Sequence, residues 1–129
     1  MTKVIITTGI FPPDIGGPAT FVPLIAEFLR RSGFDVLVVC YSEHLHNYDN
    51  YEFDVIRVPR HYNFLHRKIL FTLRIRQSIS NDCVIFSNSV DIESRLGSAF
   101  SGVAVISKFV GNVAWESFRN KKVFSENLE

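Results

Sequence analysis

Short apolar runs alternate along the chain with segments in which apolar residues recur at helical spacing. The apolar runs predict strands over 3–9, 34–41, 55–59, 82–88 and 102–111. The periodic segments predict helices from about Thr20 to Arg31, over 62–79 and over 91–100, with a further helix beginning at Val113. Strands that are apolar throughout and alternate with helices are typical of a parallel sheet covered on both faces.

This order of elements predicts one architecture. Right-handed crossovers between parallel strands favour an α/β fold, a Rossmann-like parallel sheet flanked by helices. The first helix is indicated by apolar residues that recur at helical spacing, namely Phe21, Leu24, Ile25, Phe28 and Leu29, and Gly33 stands where the helix should stop.

The composition indicates a globular protein, but it does not indicate what the protein binds. The chain has 129 residues, 47% of them hydrophobic and 21% charged, with a formal net charge of +1. These values suit a single globular domain. No apolar run approaches the ~18 residues of a membrane-spanning helix. Cys40 and Cys83 lie in apolar runs, so we expect buried free thiols and a cytoplasmic location.

The connection between the first strand and the first helix, TTGIFPPDIGGPAT (7–20), is unusually rich in glycine and proline. Pro12 and Pro13 restrict the backbone to an extended exit from the strand. Gly16 and Gly17 allow positive φ and close approach of another group. With Thr20 as N-cap, Pro23 falls in the first helical turn. Free N–H groups there predict an anion site, while a turn without a ligand is the alternative.

The sequence lacks the motifs of several common enzyme classes and of a metal site. The dinucleotide fingerprint G-x-G-x-x-G and the Walker lysine are absent, which argues against a dehydrogenase and a P-loop ATPase. The histidines have no further ligand at convincing spacing; they are His44, His46, His61 and His66. We therefore expect neither a cofactor nor a metal ion.

Two separated motifs resemble one family. The segment ITTGIFPPDIGGPATFVPLIAEFLRRSGFDVLVV resembles the opening of family 4-type glycosyltransferases with the GT-B fold, which carry a "YPPxxGG" or "FPPxxGG" loop. The segment SKFVGNVAWESFRNK (107–121) is similar to their "K-x-V-G-D-x-A-W-E-x-x-R-N" motif. The motifs stand in the right order, and the resemblance covers essentially the whole chain.

The resemblance implies roles for particular residues. Gly16, Gly17 and Pro18 would lie near the diphosphate of a nucleotide-sugar donor. The acceptor cleft would be formed by Phe11, Pro12, Pro13, Gly111, Asn112 and Glu116. Relatives commonly have Asp where this chain has Asn112, so a role that needs a carboxylate there is in doubt. Glu116 is either a site residue or a solvated acid of a first helical turn.

The resemblance also implies that half of the enzyme is missing. In this family a second Rossmann-like domain grips the donor, and the first domain holds a glycan or lipid-linked acceptor. We expect residues 1–129 to be a single, incomplete N-terminal domain that transfers no sugar alone. The alternative is a non-catalytic binding or scaffold subunit. An open sheet edge would favour a homodimer or a partner chain.

The predicted helix over 62–79 lies in a basic stretch. Residues 57–76 contain six cations and no acid. Leu65, Ile69 and Leu73 should face the sheet. The opposite, exposed side would combine Arg60, Phe64, Arg67, Lys68, Phe71 and Arg74. Such a side suits peripheral contact with an anionic membrane, and a merely solvated helix is the alternative. No recognised nucleic-acid module is present.

Overall fold

The computed structural model describes residues 2–43 and 51–108. In these ranges the elements are β1 (Lys3–Thr8), α1 (Gly17–Arg31), β2 (Asp35–Ser42), β3 (Asp54–Pro59), α2 (Phe64–Ser78), β4 (Cys83–Asn88), α3 (Asp91–Gly97) and β5 (Ala104–Lys108). The predicted order of strands and helices is confirmed. Residues 44–50 and 109–129 lie outside the described part, and with them fall Gly111, Asn112, Glu116, His44, His46 and the helix predicted from Val113.

The five strands form one parallel sheet in the order β3-β2-β1-β4-β5. The fold is therefore α/β and Rossmann-like, as the sequence predicts. Strand β1 is central, with Thr8 in register with Cys40 of β2 and with Asn88 of β4. Strands β2 and β3 lie on one side of β1, and β4 and β5 lie on the other. A crevice therefore opens at the carboxyl ends of β1 and β4, where such sheets bind ligands.

Alternate side chains of the central strands fill two cores on opposite faces of the sheet. Ile6 and Val38 pack with α1 residues on one face. Ile5 and Ile85 pack with Phe71 of α2 on the other face. Each fully buried aliphatic side chain contributes about 1.5–3 kcal/mol to folding. The two cores together fix α1 on one side of the crevice and α2 on the other.

Helix α1 begins earlier than predicted. Its N-cap is Gly16, and the Thr20 N–H donates to the Gly16 carbonyl at 3.2 Å. Pro18 thus occupies the first turn, where a missing N–H costs nothing. Pro23 lies inside the helix, so the prediction that placed Pro23 in the first turn is wrong. The predicted stop at Gly33 is confirmed by its φ of +98° and by hydrogen bonds that close the last turn.

The buried face of α1 is formed by small residues. Ala19, Val22 and Ala26 are buried, whereas Leu24 and Phe28, two of the periodic apolar residues, are 63% and 64% exposed. Small residues on the buried face let the helix approach the sheet closely. The larger apolar residues beside them therefore lie at its border or in solvent.

The prediction for the face of α2 is wrong. Phe71 and Ile75 are fully buried, and the Phe71 ring stacks on Tyr41 with centroids 4.4 Å apart. Close contact fixes this rotation, because a Cβ added at Gly97 of α3 would lie 2.7 Å from Ile75. The opposite stripe of α2 is at least 48% exposed and, with α3, lines an apolar groove of about 390 Å³; its apolar members include Leu65, Ile69, Leu73, Ile92 and Leu96.

Two further features of the described ranges bear on the sequence predictions. Both Cys40 and Cys83 are buried free thiols, as predicted. Among the described helices, none has the length and apolar character needed to cross a membrane.

Candidate functional site

Three loops meet at the carboxyl ends of β1, β2 and β4. They follow β1, β3 and β4, and a cavity of about 240 Å³ lies among them. We call this cavity the edge pocket. Its lining residues are Gly9, Tyr41, Arg60, Arg67, Lys68, Ser89 and Val90. The pocket therefore lies at the carboxyl end of β1, where the strand order reverses, which is the usual ligand position in such a sheet.

The loop after β1 has a backbone that only glycine suits at one position. Gly16 has φ +152° and ψ 174°, and a Cβ there would lie 2.7 Å from Cδ1 of Ile10. A Cβ at Gly17, in contrast, would meet nothing within 4 Å. The space beside the Cα of Gly17 is therefore open.

The first amides of α1 have no acceptor inside the described chain. Neither the Gly17 N–H nor the Ala19 N–H makes a hydrogen bond to any of the residues that the structure describes. The intervening Pro18 carries no N–H. Unsatisfied N–H groups at the positive end of a helix dipole favour a bound anion. The anion site expected from the sequence would lie at this turn.

The other loop residues predicted at the site have different surroundings. Pro13 is exposed and Pro12 is half-buried. Phe11 is fully buried, with its ring centroid 5.3 Å from that of Tyr51 and 6.4 Å from that of Phe53. Its predicted place on the surface of a cleft is therefore wrong. The Asp14 N–H donates to the Phe11 carbonyl at 3.0 Å and closes a turn directly after Phe11.

One arginine ties the loop after β1 to the sheet. The Arg60 guanidinium donates to the Gly9 carbonyl at 2.9 Å, to Asp14 Oδ2 at 3.0 Å and to the Tyr41 carbonyl at 3.1 Å. Arg60 precedes α2, so its predicted position on the exposed face of a helix is wrong. Its contacts hold the main chain of the loop in one arrangement.

Two cations on the first turns of α2 complete the pocket. Lys68 forms an ion pair with the carboxylate of Glu93, which is 2% exposed. Arg67 donates to the Arg60 carbonyl at 3.3 Å, and its guanidinium carbon lies 6.0 Å from the Tyr41 ring centroid. Within the described ranges Arg67 forms no ion pair with an acid. The pocket therefore contains a cation whose charge is not neutralised.

Tyr41 forms part of the pocket in its neutral state. Burial raises the pKa of its phenol well above the ordinary value, and the negative charge of Glu93 raises the pKa further, while Arg67 lowers it. The buried hydroxyl has no hydrogen-bond partner among the described residues. Tyr41 therefore contributes no negative charge to oppose an anion.

The end of β4 carries polar groups that the sequence predictions missed. Asn88 is 1% exposed, and both polar atoms of its amide have no partner within the described part of the chain. Ser89 follows with φ +70°, a conformation that non-glycine residues seldom adopt. Lys108 is in register with Asn88, and its Nζ lies 3.4 Å from the Phe21 ring centroid. The usable signal was an Asn-Ser pair directly after an apolar strand.

The predicted basic surface of α2 is not a single surface. Phe71, expected on its exposed side, is buried, and Lys68 is bound to Glu93. Phe64 remains 67% exposed, and Arg74 is also exposed. The phase of the helix directs Phe71 to the sheet and Arg67 toward the edge pocket, so Arg67 and the apolar stripe occupy different flanks.

No model of a known protein family matches this chain, and no curated protein matches it. The geometry at the carboxyl edge of the sheet is therefore what bears on function.

Proposed function

We propose that this chain is the acceptor-side, N-terminal Rossmann-like domain of a retaining glycosyltransferase with the GT-B fold. The complete enzyme would transfer a sugar from a nucleotide-sugar donor to a glycan or lipid-linked acceptor. The enzyme would act in the cytoplasm or at the inner face of the membrane, and a second domain would bind the donor. The motifs at 6–39 and 107–121 are the sequence basis of this proposal.

One structural observation carries the proposal. The N–H groups of Gly17 and Ala19, in the first turn of α1, have no acceptor in the described chain, and the space beside the Cα of Gly17 is open. Internal hydrogen bonds to these amides would have removed the anion site, and the described residues provide none.

The chemistry suits a diphosphate leaving group. When a nucleotide-activated sugar reacts, negative charge develops on the departing diphosphate, and preorganised N–H donors at a helix N-terminus stabilise that charge. Gly16 and Gly17 let the phosphate oxygens approach the main chain closely. Positioning of donor and acceptor requires both walls of the cleft, so the isolated domain transfers no sugar.

Inorganic pyrophosphate tests the amide site directly. We expect a titration followed by ¹H–¹⁵N NMR to shift the Gly17 and Ala19 amide signals. Gly17→Pro removes the N–H at a helical position that tolerates proline, and it should weaken pyrophosphate binding several-fold. Gly17→Ala keeps the N–H and adds a Cβ into open space, and it should bind like the parent chain.

Two results would overturn the amide site. One is a titration in which the Gly17 and Ala19 signals stay fixed at millimolar pyrophosphate. The other is equal binding by the proline and alanine variants. Sugar transfer itself is tested by pairing the domain with a donor-binding second domain, where Gly17→Pro should lower kcat more than Gly17→Ala.

A binding or scaffold subunit is the second candidate. Within the described sheet, β3 and β5 each pair with a single strand, and Ile106 on β5 is 55% exposed. An unpaired apolar edge can add a strand from another chain. Light scattering at micromolar concentration tests this function, which predicts a dimer, whereas a monomeric mass would contradict homodimer formation.

A further inference from the structure

The edge pocket is large enough for a charged substituent. Its volume is about 240 Å³, and water occupies roughly 30 Å³ per molecule in the liquid. The pocket therefore has room for a tetrahedral oxyanion together with neighbouring atoms. It lies beside Gly9 and next to α2, whereas the free amides belong to α1 on the other face of the sheet.

Among the described residues that line the pocket, one cation has no acidic partner. Asp14 neutralises Arg60, and Glu93 neutralises Lys68. Within the described ranges Arg67 contacts one carbonyl at 3.3 Å and the faces of two aromatic rings. A guanidinium offers five N–H donors in a planar fork, so most of its donors remain free for an anionic ligand.

The distribution of polar groups favours phosphate over carboxylate. Arg60 comes from the loop before α2, Arg67 and Lys68 from α2, and Ser89 from the loop after β4. A planar carboxylate presents both oxygens in one plane and is satisfied by one guanidinium fork. A phosphate directs its oxygens tetrahedrally and can use groups from several segments at once.

We propose that the edge pocket binds a phosphate ester carried by the acceptor, with Arg67 as its principal ligand. The role as an acceptor rests on the proposed function, whereas binding of phosphate in the pocket does not. The phosphate would hold the acceptor on the α2 side of Gly9, across the sheet from the diphosphate site at α1. The phosphate can belong to a soluble sugar phosphate or to a phospholipid headgroup.

The test uses the whole chain and inorganic phosphate as the probe. We expect phosphate to shift the Ser89 amide signal and the Arg67 side-chain Nε–H signal in NMR titrations. Arg67→Gln should weaken phosphate binding about tenfold, and Arg67→Lys should recover part of the loss by restoring the charge. Arg74→Gln removes an exposed cation from the same helix and should leave phosphate binding unchanged.

The results of these titrations distinguish binding in the edge pocket from binding at the α1 amides. They also distinguish a soluble phosphate ester from a phospholipid headgroup. Equal weakening by Arg67→Gln and Arg74→Gln, or phosphate shifts confined to Gly17 and Ala19, would overturn the proposal. Glycerol 3-phosphate bound through Arg67 indicates a soluble acceptor. If vesicles containing phosphatidic acid bind the parent chain but not Arg67→Gln, the phosphate belongs to a lipid acceptor. If pyrophosphate does not bind at Gly17 while phosphate still binds at Arg67, the transferase function is rejected and the proposal of a phosphate site in the edge pocket stands.

Discussion

The guanidinium of Arg60 lies 3.0 Å from Oδ2 of Asp14, a residue 46 positions earlier in the chain. The same nitrogen donates to the carbonyls of Gly9 and Tyr41. One side chain thus joins the loop after β1 to the end of β2 and to the segment that precedes α2. A loop held in this way loses little conformational entropy when it binds a ligand, and preorganisation of this kind raises affinity.

Replacement of Arg60 should loosen this loop. Arg60→Gln removes the ion pair and the charge-assisted hydrogen bonds, and we expect the free energy of unfolding to fall by about 1–3 kcal/mol. Urea denaturation measures the change. Arg74→Gln, which removes an exposed charge from α2, should stay within about 0.5 kcal/mol of the parent. Equal effects of the two substitutions would contradict the role given to Arg60.

The twin glycines should respond differently to alanine. Gly16→Ala places a Cβ 2.7 Å from Ile10 in a backbone conformation that L residues seldom adopt, and we expect a loss of about 1–3 kcal/mol. Gly17→Ala adds a Cβ to open space in a helical residue, so the free energy of unfolding should be unchanged or rise slightly. Thermal unfolding of the pair checks this prediction. Similar destabilisation of both would count against it.

Two phenylalanines of α2 provide a matched test of the helix phase. Phe71→Ala removes a fully buried ring stacked on Tyr41 and should cost about 3–5 kcal/mol. Phe64→Ala removes a ring that is 67% exposed, and we expect a cost below about 1 kcal/mol. Urea denaturation of the two variants gives the comparison. A larger cost at Phe64 would require a different rotation of α2.

The buried thiol of Cys40 should make stability fall in alkaline solution. Burial raises the pKa of Cys40 from 9.0 to about 12. Below pH 9 the thiol is protonated in both the folded and the unfolded chain, so its contribution to stability is constant. Between about pH 9 and 12 only the unfolded chain ionises, and stability falls by up to about 1.4 kcal/mol per pH unit.

Cys40→Ala isolates this contribution, because other groups titrate in the same range. We expect the parent chain to lose stability more steeply than Cys40→Ala as the pH rises from 9 to 11. Urea denaturation at each pH, in reducing buffer, gives the two curves. Parallel curves would show that Cys40 has an ordinary pKa in the folded chain.

The order of elements could be predicted because its signals are local. The run from Lys3 to Thr8 is apolar or β-branched after its first residue, and Gly33 ends a helix through its own backbone. The start of α1 was misjudged, because Gly16 acts as N-cap through its main chain and offers no side-chain signal. Local sequence patterns therefore predict the order of strands and helices better than they predict where each element begins.

The parallel α/β architecture, the buried cysteines and the glycine-rich loop at the carboxyl edge can be predicted from the sequence alone. These follow from short-range patterns of apolar residues and from the backbone freedom of glycine. That Phe71 rather than Leu65 meets the sheet depends on packing between elements, because α2 carries apolar residues on more than one side. The clamp of Arg60 on Asp14 and the free charge of Arg67 likewise depend on contacts between distant segments. Periodicity along one helix carries no information about such contacts.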